Sequence, residues 1–215
     1  LHWRSFTKLE KRWILYDVAN SAITLLFTTL MPLYFNSIAE AAGIAPNDYL
    51  AYWGYAIGIC TAIVAILGPI VGTIGDRNHA KKQLFLLTLI FGSLALLGLT
   101  VQVTWLSFLI LFVIGRVGYQ MSLIFYDSML PDISSSQESM DHVSTYGYAL
   151  GYIGSVIPFI LSLLVVLGNE RIGITSRTAM AIAIVINVVW WIVLSLPLLR
   201  VYKQKHRTEG TTAVR

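Results

Sequence analysis

The sequence predicts an all-α membrane protein with six transmembrane helices. Three observations carry that reading. First, 56% of the 215 residues are hydrophobic and only 12% charged, with a mean hydropathy of +0.71. A soluble domain carries about twice that share of charge. Second, the apolar residues fall in blocks long enough to cross a bilayer, which takes about 20 residues of helix. Third, the basic residues gather at alternate block ends, as topology requires. A net charge of +4 distributed in this way is no footprint for nucleic acid.

The predicted spans are 13–36, 50–74, 84–103, 105–128, 143–167 and 179–200. Residues 1–12 form a basic N-terminal segment with Arg4, Lys8, Lys11 and Arg12. The first apolar block is too long for a signal-peptide core and lacks a cleavage pattern. Loop 37–49 has no Lys or Arg, whereas loop 75–83 has Arg77, Lys81 and Lys82. The turn near Val103 is uncharged. Loop 129–142 dissents weakly, with Asp132, Glu138 and Asp141 and no basic residue. Loop 168–178 has Arg171 and Arg177, and residues 201–215 form a basic tail or the start of a central linker. The distribution places both termini in the cytoplasm. Tyr34, Phe35, Tyr49, Tyr52, Trp53 and Tyr55 then form an outer aromatic belt. The chain begins at Leu1 and ends in a charged tail, which suggests a piece of a longer protein.

Span one opens YDVANSAITLLFTTLMPLYF. Asp17, Asn20, Ser21, Thr24 and Thr28 recur at helical spacing and share one face. Span four carries a second stripe: Arg116, Tyr119, Gln120 and Asp127. An ionisable group at the centre of a span costs at least ~2.5–3.5 kcal/mol, so these faces avoid lipid. They are expected to line a substrate or coupling cavity. Arg116 lies roughly 20 Å from the cytoplasmic end of its span and Asp17 about 6 Å, so the two are not expected to touch. Gly147, Gly151, Gly154 and Pro158 make a small-residue face on span five that lets another helix approach closely.

Residues 68–84 read GPIVGTIGDRNHAKKQL. Gly72, Asp76, Arg77, Lys81 and Lys82 resemble the signature loop between the second and third helices of major facilitator superfamily transporters. The sequence departs at His79, where that pattern has Gly. The stretches YDVANS, IFYDSMLPDIS and STYGYALGYIGSVIP narrow the resemblance to the vacuole effluxer-like branch, whose fungal member exports amino acids from the vacuole. That branch has Trp where Val18 stands, and Asn where Asp127 stands. The resemblance implies one half of a twelve-helix fold, built as a three-plus-three inverted repeat. It implies that Asp127 latches the basic loop at a cytoplasmic gate. It also implies that Arg116 serves proton coupling or substrate binding.

The expected activity is secondary active transport of a small solute by alternating access. An amino acid or similar anion or zwitterion fits a cationic site with hydroxyls. Proton-coupled efflux of a hydrophobic solute, and an inactive half with a structural role, are the alternatives. An intramembrane enzyme is disfavoured: His2, His79, His142 and His206 all lie outside the spans. No cofactor or metal site is expected, and Cys60 is alone, so no intrachain disulfide forms. The expected partners are the bilayer, the solute, protons, and either a second six-helix half or a homodimer copy. In a bacterium the membrane would be the plasma (inner) membrane.

Overall fold

The structure, a computed structural model, describes residues 3–77, 80–101 and 104–205. Six helices long and apolar enough to cross a membrane account for nearly all of them. They are α1 (Lys8–Ala41), α2 (Pro46–Arg77), α3 (Lys81–Gly98), α4 (Trp105–Ile133), α5 (Gln137–Leu167) and α6 (Ser176–Val201). No strand occurs among the described residues.

Several helices outrun the predicted spans. Hydropathy marks where apolar residues stop, whereas caps decide where a helix starts. Thr7 and Glu10 form a capping box that begins α1 at Lys8, ahead of the predicted Trp13. Ser136 begins α5 by accepting from the Ser139 amide at 3.2 Å, ahead of the predicted Val143. Helix α4 continues past Asp127 to Ile133, through Pro131. Helix α3 ends at Gly98, short of the predicted 103.

Helix α1 is not uniform. Residues Leu26–Leu30 form a π-helical turn, and the Met31 amide reaches back to the Leu26 carbonyl. Pro32 follows directly. It has no N–H to return to the Thr28 carbonyl, so the turn before it loosens. Two hydroxyls take up freed carbonyls, with Thr28 Oγ1 donating to the Thr24 carbonyl at 2.8 Å and Thr29 Oγ1 to that of Leu25.

Packing is set by glycines at the helix crossings. A Cβ on Gly118 of α4 would lie 2.8 Å from the Gly92 backbone of α3, so these two helices meet backbone to backbone. The Trp191 ring of α6 closes the same crossing, 3.0 Å from where a Gly92 Cβ would stand. Helix α1 lies against α5 and α6, and α2 against α4. An aromatic cluster fills the space between α1, α3 and α4: Tyr16 packs on Phe85 and Tyr126, and Trp13 stacks on Tyr126 at 4.1 Å. Only 11% of the most apolar stretch of α2 and 22% of that of α5 is buried, against 50% in α1 and α4. The broad uncovered faces of the bundle are therefore those of α2 and α5.

Candidate functional site

The stripe on α1 runs from the interior of the bundle to an open face. Asn20 is buried, Asp17 and Ser21 are half-buried, and Thr24 and Thr28 are exposed. Its inner end is pressed against α5. A Cβ on Gly147 would stand 2.7 Å from Asp17 Oδ2, and one on Gly151 would stand 2.6 Å from Ser21 Oγ. On Gly154 it would run into Val18. The three glycines thus admit the polar edge of α1; Pro158 is buried further along the same helix.

The stripe on α4 meets that of α1 at Tyr119. Its phenol lies 2.5 Å from Thr24 Oγ1 and donates to the Asn20 carbonyl at 3.3 Å. Asn20 Nδ2 in turn donates to Asp17 Oδ1 at 3.1 Å. One turn deeper, Tyr16 Oη pairs with Ser122 Oγ at 2.8 Å.

Arg116 is placed differently. Its guanidinium lies over two rings, 5.6 Å from the Phe27 centroid and 5.9 Å from that of Phe112. Phe27 belongs to the π-helical turn. Such ring contacts hold a cation while leaving its N–H groups free to donate. The buried Arg116 Nε and the buried Oε1 of Gln120, one turn along, have no hydrogen-bond partner. The cation is therefore joined to Asn20, Ser21 and Thr24 through Tyr119 and Phe27 rather than by direct bonds.

A second polar cluster occupies the end of the bundle where α1 starts and α6 finishes. Lys81, at the first turn of α3, is buried. Its Nζ lies 2.9 Å from Asp76 Oδ1 and 3.9 Å from Asp132 Oδ2, and donates to the Ser128 carbonyl at 2.9 Å. The α4 acid that meets the basic loop is Asp132, where the resemblance pointed to Asp127. Helix α4 persists beyond the predicted end, which carries Asp132 to the loop. Asp127 is exposed and turned toward Asp17, whose charge acts on it. Asp132 also accepts from Tyr202 Oη at 2.5 Å and from the Lys205 amide at 3.1 Å. Burial and the bond to this carboxylate push the Tyr202 phenol pKa up. Gln204 donates to the carbonyls of Gly75, at 3.2 Å, and Asp76. Gly72 faces Ile124 at van der Waals distance, Gly68 more tightly. Lys82 is exposed, Arg77 is described only by its backbone, and His79 lies outside the described residues.

Sequence reading missed Asp132 as the loop's acid, counting it only as a charge in loop 129–142. It also missed Glu10, whose carboxylate accepts from Ser134 and Ser139 and so ties the start of α1 to the α4–α5 connection. The Thr7-x-x-Glu10 capping signature was the available signal. Elsewhere, a cavity of about 570 Å³ lies at the opposite end, between Tyr34, Trp105, Arg177 and Met180. It encloses none of the stripe residues, which face an open surface rather than a closed pocket.

Six membrane helices with a polar face shared by the first and fourth, and a charged latch between the second and third, define one half of a major facilitator fold. The chain belongs to the vacuole effluxer Atg22-like family, whose model matches residues 7–214. It is 37% identical to an uncharacterized MFS-type transporter, YxiO, of Bacillus subtilis, over 94% of this chain and 48% of that protein. It is 28% identical to an uncharacterized protein of Aquifex aeolicus, over 68% of this chain and 36% of that protein. The chain thus spans about half the length of the Bacillus relative. No solved structure matches it significantly.

Proposed function

We infer that the chain is the N-terminal half of a secondary transporter that moves a small anion or zwitterion, such as an amino acid, by alternating access. One observation carries this reading. A membrane-embedded guanidinium is held by two rings, with its buried Nε unbonded and an unbonded amide oxygen one turn away. A buried polar atom left without a partner costs about 1–3 kcal/mol, and a bound solute that supplies the bond recovers it. The open stripes and the uncovered faces of α2 and α5 suit a second six-helix half, related by an axis along the membrane normal. Where no such half is present, a second copy of this chain is the alternative partner. The basic ends suit cytoplasmic termini.

Uptake and efflux of labelled amino acids by cells expressing the full-length protein test the reading. Arg116→Ala is expected to abolish transport, and Arg116→Lys to leave a small fraction because it keeps charge but loses the planar fork. Undiminished transport by both variants would overturn it. The partner is tested by single cysteines at Thr24 or Gln120 in a background lacking Cys60. Cross-links from these positions are expected, and cross-links only from the lipid side of α3 or α6 would contradict the assembly.

A further inference from the structure

Asp17 and Asp127 face each other across the gap between α1 and α4, and each acts on the other's charge. Asp17 is half-buried against Gly147 and has one hydrogen-bond donor, the Asn20 amide. The titratable groups around the pair are neutral phenols: Tyr16 on α1, Tyr119 and Tyr126 on α4, and Tyr148 on α5. From α6 comes an indole, Trp190, bonded to the Val18 carbonyl at 3.3 Å. Among the described residues neither carboxylate forms an ion pair with a Lys, Arg or His. Lys81 is taken by Asp76, Asp132 and the Ser128 carbonyl.

An independent feature points into the same gap. Tyr126 is 3% exposed, and its hydroxyl has no hydrogen-bond partner. The charges that act on it most are those of Asp17 and then Asp127. Its ring cannot swing elsewhere, being stacked on Trp13 at 4.1 Å and packed on Tyr16 at 4.6 Å. A fixed hydroxyl that can both donate and accept is thus left open beside two carboxylates.

Two carboxylates near one another in a span, with no cation between them, are relieved by taking up a single positive charge. We propose that Asp17 and Asp127 together hold one monovalent cation, a proton or a sodium ion, with the Tyr126 hydroxyl completing the site. Its use as the coupling ion rests on the transport reading above; the binding itself does not.

Infrared spectroscopy of the purified full-length protein in lipid nanodiscs tests the binding without any transport assay. The carboxylic-acid carbonyl band is followed from about pH 5 to about pH 9, spanning the range above ordinary carboxylate titration, in sodium chloride and in choline chloride. The expected result is a carboxyl that titrates near neutrality in choline and is lost in Asp127→Asn. A midpoint lowered by sodium assigns the ion as sodium competing with the proton, and an unchanged midpoint assigns the proton alone. Asp17 packs against α5, so Asp17→Asn is the second variant, expected to give the same loss where it folds. Absence of a neutral-range carboxyl in the unmodified protein, or its survival in Asp127→Asn, would overturn the proposal. Transport lost in Arg116→Ala with the band intact would leave the transport reading standing separately.

Discussion

The two polar clusters of this bundle are built to opposite ends. Around Asp132 every partner is in place: Lys81, Tyr202 and the Lys205 amide converge on one carboxylate that is 1% exposed. Around Arg116 the reverse holds, with Nε, Gln120 Oε1 and the Tyr126 hydroxyl all buried and unbonded. Burial of polar groups is costly in either case. The first cluster recovers the cost within the chain and so fixes the loop between α2 and α3. The second leaves it unrecovered, which is the state of a surface that awaits a solute, water or another half.

That contrast is broken most severely at the closed cluster. Asp132→Ala would strand a buried ammonium and free Tyr202 and Lys205. Breaking a buried pair costs about 3–5 kcal/mol, and the remaining Asp76 contact argues for the lower end. Thermal unfolding in detergent is expected to show that loss, and an unchanged transition would mean that the cluster bears no load. A smaller effect is expected at the crossing of α1 and α5. Gly151→Val places a Cβ about 3.2 Å from the Asp17 carbonyl oxygen and closer still to Ser21 Oγ. Overpacking of this kind costs roughly 1–3 kcal/mol. Reduced unfolding stability, together with weaker cysteine cross-linking between the two helices, would report it.

The smallest effect sharpens the join between the stripes. Thr24→Val removes the hydroxyl that meets Tyr119, a bond worth about 0.6 kcal/mol between membrane helices. Stability should barely move, while hydrogen exchange around the π-helical turn rises. A large destabilisation there would show that the stripe is structural glue.

The parts legible in the sequence were those with a period. Six apolar blocks and two stripes at helical spacing follow from 3.6 residues per turn, and the structure shows six helices with Asp17–Thr28 and Arg116–Asp127 on facing helices. Endings were less legible, because caps such as Thr7 and Ser136 act outside the apolar stretch. Asp132 was missed for the same reason: the hydropathy of α4 stops before its helix does. The π-helical turn depends on a missing donor at Pro32, which was visible in the sequence, and on how α4 receives Phe27, which was not. The bond-free state of Arg116 is a matter of tertiary placement alone.

The most direct test sets stability against transport at Arg116. No hydrogen bond to Nε is lost in Arg116→Leu, and the ring contacts are worth about 0.5–1 kcal/mol. Unfolding stability should therefore change by less than about 1 kcal/mol, far less than in Asp132→Ala, while solute transport by the full-length protein disappears. A drop in stability matching that of Asp132→Ala, with transport per folded molecule preserved, would show that the open cluster holds the bundle together rather than the solute.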